Sequence, residues 1–230
     1  MRTFQEHILS VVIPTWNAAA ELGTAIAAVA GSPLVGEIIV ADGGSEDATV
    51  AVAQAAGAHV VQAARGRGPQ LAAGAAAATG EWLLFLHADC RPAPGWAGAV
   101  ALFLAASGAA ERAGYFAFGL DDARPAARRL ERLVAWRCHL FGLVYGDQGL
   151  LISRNLYEAL GGFAAIPLME DVDLVRRIGR RRLRPIGVKA ISSARRYREQ
   201  GFVRRPLRNL FCLSLYFAGV TPRRIARLYG

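Results

Sequence analysis

Five apolar residues, Trp82 to Leu86, run without interruption into His87-Ala88-Asp89. A run this short and this apolar, opened by Gly80-Glu81 and closed by polar residues and Pro92, has the pattern of a strand buried on both faces. Such a strand cannot carry a carboxylate in its middle, because an unpaired buried charge is too costly. Asp89 is therefore expected at the strand's carboxyl end, the edge at which open α/β sheets place their ligands. Taken alone, it either caps the following turn or faces a ligand, and its immediate neighbours do not choose between the two.

The chain upstream repeats one unit. Ile8 to Ile13 reads as a strand ended by Pro14, with Asn17 as N-cap of an Ala-rich helix from Ala18 to Ala30. Glu37 to Ala41 is a second strand, and Asp42-Gly43-Gly44-Ser45 turns into a helix reaching Ala56, with Gly57 at its C-terminal cap. Ala58 to Gln62 is a third strand. The basic loop Arg65-Gly66-Arg67-Gly68-Pro69 follows, with Pro69 expected to open a helix that ends at Gly80. Four strand–helix alternations predict a parallel, doubly wound sheet. Parallel connection brings Thr15 to Asn17, Asp42, and His87 to Asp89 to one rim, and capping alone gives no reason for polar strand ends to cluster. Neither a G-x-G-x-x-G fingerprint nor a Walker A motif is present. A mononucleotide-type ligand remains, held by Asp42 through base or ribose and by Arg65 and Arg67 through phosphates.

Beyond Pro94 the spacing predicts helices over 95–106, 124–144 and 154–160, and strands over 114–118 and 149–153. Glu170, Asp171 and Asp173 then crowd one helix start. The helix dipole accounts for one or two of them, which leaves one available as a catalytic base. Arg176 and Arg177 stand at the spacing for ion pairs with Glu170 and Asp173. Three cysteines, Cys90, Cys138 and Cys212, are odd in number and far apart. They form no disulfide framework and no zinc pattern, and suit a reducing cytoplasm. Glu6 and His7 precede the first apolar run where a signal peptide would carry basic residues, and no run reaches the ~20 residues of a membrane span.

The formal net charge is +9, and thirteen Arg or Lys lie between Arg176 and Arg208 against one acid, Glu199. Such a field suits nucleic acid, an anionic membrane or a phosphorylated ligand. No nucleic-acid-binding motif accompanies it, so no nucleic-acid partner is expected. Arg204 to Val220, basic and then apolar, predicts a helix that docks on the core, contacts a second copy in a homodimer, or lies on a membrane surface.

These residues resemble the family 2 glycosyltransferases. The resemblance rests on Val11 to Asn17, Ile39 to Asp47, Leu86 to Asp89, and Gly161-Gly162-Phe163 with Glu170 to Leu174, four motifs in order across roughly residues 8 to 190. His87-Ala88-Asp89 with Tyr145-Gly146-Asp147-Gln148 is similar to the subgroup associated with arsenosugar biosynthesis. The resemblance implies an α/β GT-A fold with a mostly parallel central sheet flanked by helices. It would span residues 1–200, with a nucleotide-binding half to about 92, an acceptor half from about 93 and a helical extension over 201–230. It also implies a nucleotide-sugar donor, UDP-linked, a hydroxyl-bearing acceptor, inversion at the anomeric carbon, and Mg²⁺ or Mn²⁺. On the matching positions, Pro14, Thr15, Trp16, Asn17 and Glu21 line the nucleotide pocket with Ala88, and Asp42 binds uracil or ribose. Asp89 is the last acid of the metal motif, and Asp171 is the general base with Glu170 beside it. Asp147 and Gln148 are placed to read the acceptor or sugar, or to stabilise a turn.

One departure stands out: His87 replaces the first acid of the metal motif, so it is a metal ligand or a contact to phosphate or ribose. Two other classes are open. A nucleotidyltransferase on a related sheet is supported by the Arg65–Pro69 loop, but that class usually sets its glycine-rich loop straight after the first strand with a lysine nearby, and the only lysine is Lys189. A non-catalytic nucleotide binder is supported by the charge and the incomplete metal motif.

Overall fold

The computed structural model describes residues 8–229. Glu6 and His7, on which the reading of the N-terminus rests, lie outside the described residues. Strands β1 (Leu9–Thr15), β2 (Val35–Asp42), β3 (His59–Gln62) and β4 (Trp82–Phe85) alternate with helices α1 (Ala19–Ala30), α2 (Thr49–Ala55) and α3 (Arg67–Ala77). All three strand pairs within this half are parallel. Trp82 to Leu86 is buried throughout, as its composition demands, although the strand proper stops at Phe85.

Three local expectations need correction. Pro14 does not end β1, whose ladder with β2 continues to Thr15↔Asp42. The Val12 carbonyl faces β4 and accepts from the Leu86 amide, so Pro14, two residues on, turns its missing N–H to the side where β4 has already ended. Asn17 does not cap α1. It sits at φ 48°, where its Oδ1 accepts from the Glu46 amide and its own amide donates to Ser45 Oγ. Residues across the turn cap the helix: Asp47 Oδ2 accepts from the Ala19 amide at 3.2 Å and Thr49 Oγ1 from the Ala18 amide at 2.7 Å. Finally, α3 begins at Arg67, ahead of Pro69. Its first turn is wedged against backbone, since a Cβ on Gly68 would lie 2.2 Å from the Ala164 carbonyl oxygen.

The second half adds β5 (Cys90–Pro92), α4 (Trp96–Ala105), β6 (Ala113–Leu120), α5 (Pro125–Phe141), β7 (Leu150–Ser153), α6 (Arg154–Ala159), α7 (Glu170–Ile178), β8 (Leu183–Ser192), α8 (Arg195–Gln200), α9 (Arg204–Phe217) and α10 (Pro222–Tyr229). Helix α5 stops at Gly142, at φ 64° and packed against Arg180, and so falls short of Val144. The eight strands form one sheet in the order β3-β2-β1-β4-β7-β6-β8-β5. It is mostly parallel, with antiparallel joints at β4–β7, β6–β7 and β5–β8.

Alternate residues of the central strands feed two cores. Val12, Ile39, Leu83 and Phe85 meet Leu71, Leu130, Val134, Leu174 and Val175 from α3, α5 and α7. Val11, Ile13, Val40 and Leu84 meet Leu22, Ile26, Ala53 and Val100 from α1, α2 and α4. Cys212 and Leu213 of α9 and Ile225 of α10 bury against Leu168, Met169 and Val172, so the C-terminal helices dock on the chain's own core. Each aliphatic side chain so buried contributes about 1.5–3 kcal/mol.

Candidate active site

The carboxyl ends of β1 and β4 and the start of α3 open onto a cavity of about 330 Å³. Its walls include Pro14, Thr15, Trp16, Asn17, Glu21, Arg65, Arg67, His87, Ala88 and Asp89. It runs into a second cavity of about 110 Å³ that shares Arg67, His87, Asp89 and Arg196 and adds Tyr145, Asp147, Asp171, Arg205 and Asn209. The first is within the size range of small-ligand sites. The two non-glycine residues with positive φ among the described residues, Asn17 and Met169 (φ 67°), both line this cleft. Strained backbone of this kind persists only where its surroundings impose it.

Gln70, absent from the sequence reading, ties the rim together. Its buried Nε2 donates to the Thr15 carbonyl at 2.5 Å and to the Ala41 carbonyl at 3.1 Å, joining α3 to the ends of β1 and β2. Trp16 is half exposed, with the Arg65 guanidinium 3.6 Å above its ring. Across the mouth, Glu21 pairs with Arg195 of α8 at 3.0 Å.

The floor carries the ionisable groups. Among the described residues, no hydrogen bond or ion pair occupies the carboxylate of Asp89, which lines both cavities. His87 Nε2 is buried without a partner, and a Cβ on Gly146 would lie 2.4 Å from it, so only glycine leaves room for the imidazole. Burial, then Arg67, pushes the His87 pKa down to about 4, leaving the ring neutral near pH 7. Burial also works against the charge of Arg67, but Glu170, Tyr229, Asp171 and Asp89 outweigh it and hold the guanidinium above the usual arginine range. Asp171 faces the cleft from the start of α7, its Oδ2 accepting from the Gly146 amide at 2.8 Å and its Oδ1 from the Val172 amide at 2.7 Å. Burial raises the Asp147 carboxyl to about 6, and its Oδ1 has no partner.

Three anticipated site residues stand apart from the cleft. Asp42 is buried and spends both oxygens on its own turn: Oδ1 accepts from Thr15 Oγ1 and Ser45 Oγ, and Oδ2 from the Gly44 and Ser45 amides. Gln148 is likewise enclosed, donating to the Phe116 carbonyl and accepting from Arg137 and Cys138. Glu170 lies beneath the cleft, fully buried, beside a space of about 20 Å³ walled by Leu71, Phe85, Leu150, Phe163 and Val175. Neither of its oxygens has a hydrogen-bond partner from another side chain or backbone group among the described residues. Of the ion pairs anticipated on α7, Arg177 pairs with Asp173, whereas Arg176 stands 5.3 Å over the Phe217 ring.

Among the described residues no three His, Cys, Asp or Glu side chains converge as a metal site. Just beyond the end of β4 the cleft offers the unengaged Asp89 carboxylate and the neutral His87 imidazole as donors. A hard divalent cation that takes most of its oxygen ligands from substrate phosphates and water fits such a sparse set.

A mixed α/β sheet with a ligand cleft at its parallel carboxyl rim and acids on the facing elements is the architecture of the GT-A fold. The chain belongs to glycosyl transferase family 2, whose model matches residues 10–138. Similar solved structures include glucosyl-3-phosphoglycerate synthase from Mycobacterium tuberculosis in complex with Mn²⁺, UDP and phosphoglyceric acid. That protein is 25% identical, the match covers 80% of this chain and 70% of that one, and the TM-score is 0.57. The same enzyme with Mn²⁺, UDP-glucose and phosphoglyceric acid matches at 24% identity, 80% and 71% coverage and a TM-score of 0.58. Mannosyl-3-phosphoglycerate synthase from Rubrobacter xylanophilus matches at 22% identity, 78% and 64% coverage and a TM-score of 0.56. No curated protein sequence matches the chain.

Proposed function

We propose that the protein transfers a glycosyl group from a UDP-linked sugar to an acceptor hydroxyl, with inversion at the anomeric carbon. The observation that carries this is the continuity of the two cavities. The larger has Asp89, Arg67 and the Trp16–Arg65 stack, and it leads directly to Asp171 on the opposite wall. In this reading Asp171 takes the acceptor's hydroxyl proton as the new C1–O bond forms. The old C1–O bond breaks with its electron pair going to the diphosphate, whose charge Arg67 and Arg65 neutralise. Asp89, with His87 beside it, would hold Mg²⁺ or Mn²⁺, which supplies further neutralisation of the leaving diphosphate. The Mn²⁺ and UDP held by the M. tuberculosis synthase support the choice of metal and base. UDP with Mn²⁺ is expected to raise the Tm by several degrees, and Asp89→Asn to lose the increment that depends on Mn²⁺. A melting temperature indifferent to UDP in the presence of Mn²⁺ would overturn the reading.

We also propose that the enzyme works at an anionic bilayer surface. No helix among the described residues is long and apolar enough to cross a membrane. Leu207, Leu210, Phe211 and Phe217 are exposed along the outer face of α9, and Leu133, Trp136, Leu140 and Phe141 along α5. The patches flank one basic segment, with Arg176 over Phe217 and Arg180 donating to the His139 carbonyl at the end of α5. From Gly201 to the end of the sequence there are six arginines and no acid. Apolar side chains among uncompensated cations suit anionic lipid, whereas a second copy would present the same charge. The full chain should sediment with vesicles of phosphatidylglycerol and phosphatidylcholine but much less with phosphatidylcholine alone. Phe211→Glu should abolish that difference, and equal binding to both vesicles would refute the assignment.

A further inference from the structure

Buried polar atoms without partners are rare, and each is destabilising unless something completes it. Four of those in this protein gather in one place. His87 Nε2, Asp147 Oδ1, Arg205 Nε and Asn209 Oδ1 all belong to residues lining the second cavity. Two of the four come from α9, which presents Arg205, Asn209 and Leu213 to the cavity at successive turns. Arg205 is only 9% exposed. It has no acidic partner: its Nη1 donates to Gln200 Oε1 at 2.9 Å, and its guanidinium lies 5.3 Å over the Tyr197 ring. Arg196, exposed and without an ion pair among the described residues, lines the same space.

The unmet needs are complementary in kind. Asp147 and Asn209 lack donors, and Arg205 and Arg196 lack an anion. A molecule satisfying all of them carries both hydroxyl groups and a carboxylate or phosphate. At about 110 Å³ the space equals about four water volumes, enough for a skeleton of a few carbons. We propose that the acceptor is a small hydroxylated anion, its acidic group held by Arg205 and Arg196 and its hydroxyls by Asn209 and Asp147, with one hydroxyl directed at Asp171. This rests on the glycosyltransferase reading above and adds to it the acceptor's charge, its size and the part played by α9.

The test uses the full chain saturated with UDP and Mn²⁺, so that the donor site is occupied. Glycerate, glycerol 3-phosphate and glycerol share one skeleton and differ in head group. Glycerate, glycerol 3-phosphate or both should raise the melting temperature beyond the UDP plateau, and glycerol at equal concentration should not. Whichever anion binds identifies the head group. Losing a hydrogen bond to a charged group costs about 1.5–3 kcal/mol, so Arg205→Gln should weaken the anion about 10- to 100-fold. Asn209→Asp, nearly isosteric but anionic, should weaken it comparably, and it provides a second measurement if Arg205→Gln does not fold. Equal binding of glycerol, binding of neither anion, or wild-type affinity in both variants would overturn the proposal. A chain that fails to respond to UDP and Mn²⁺ would instead remove the donor reading beneath it.

Discussion

Asp171→Asn is expected to lower the transfer rate by about 10²- to 10⁴-fold, the range for removal of a positioned general base. The amide is isosteric, and its oxygen can still accept from the Gly146 or Val172 amide, the two contacts that seat the carboxylate. Donor binding, read as the melting-temperature response to UDP and Mn²⁺, should therefore survive. The split between intact binding and lost turnover distinguishes proton abstraction from a purely structural role. Turnover within a few-fold of wild type would move the base elsewhere, and Asp147, on the same cavity, would be the next residue to test.

Glu170→Gln should change the pH dependence of stability strongly. Burial, and then the neighbouring Asp171, raises the Glu170 pKa from 4.5 to about 8. A carboxyl whose pKa rises on folding contributes its stability in full below the unfolded value near 4.5, and loses it as pH rises toward 8. At 1.36 kcal/mol per unit, the loss across that window is up to about 5 kcal/mol. Glutamine does not titrate, so wild type and variant should melt together near pH 5, and the variant should melt roughly 10 °C higher near pH 8.5. Parallel melting curves across that range would mean that Glu170 folds ionised.

The parallel half of the sheet is legible in the sequence because β1, β2 and β4 are short unbroken apolar runs whose polar residues fall at their carboxyl ends. Strand β8 is not. Arg184, Pro185 and Lys189 break its pattern, and they fit because the buried positions of the strand are Leu183, Ile186, Ala190 and Ser192 and the ladder to β6 shifts register beside Pro185. Asp89 and Asp171, the proposed metal-side and base-side acids, are marked in the sequence by their positions after an apolar run and at a helix start. Asp42 has the same local signature as Asp89, yet its oxygens are consumed by Thr15, Ser45 and two amides, which only the folded turn reveals. Arg205 and Asn209 carried no signal beyond a run of positive charge. Their place in the cleft depends on α9 and α10 folding back over α7, a long-range packing that local pattern does not encode.

Strand β4 has one further consequence, for the order in which the chain can be made. Its β1 edge can pair as soon as residue 85 is available, but its other edge waits for Leu150 to Ser153, roughly sixty-five residues later. At ordinary rates of synthesis that interval is about 3 to 13 s. Throughout it, Trp82 to Phe85, among the most apolar backbone in the molecule, is an open sheet edge able to add a strand from another chain. The growing polypeptide is thus most exposed to aggregation between the emergence of β4 and that of β7, and a fragment cut anywhere in that interval would keep the exposed edge permanently.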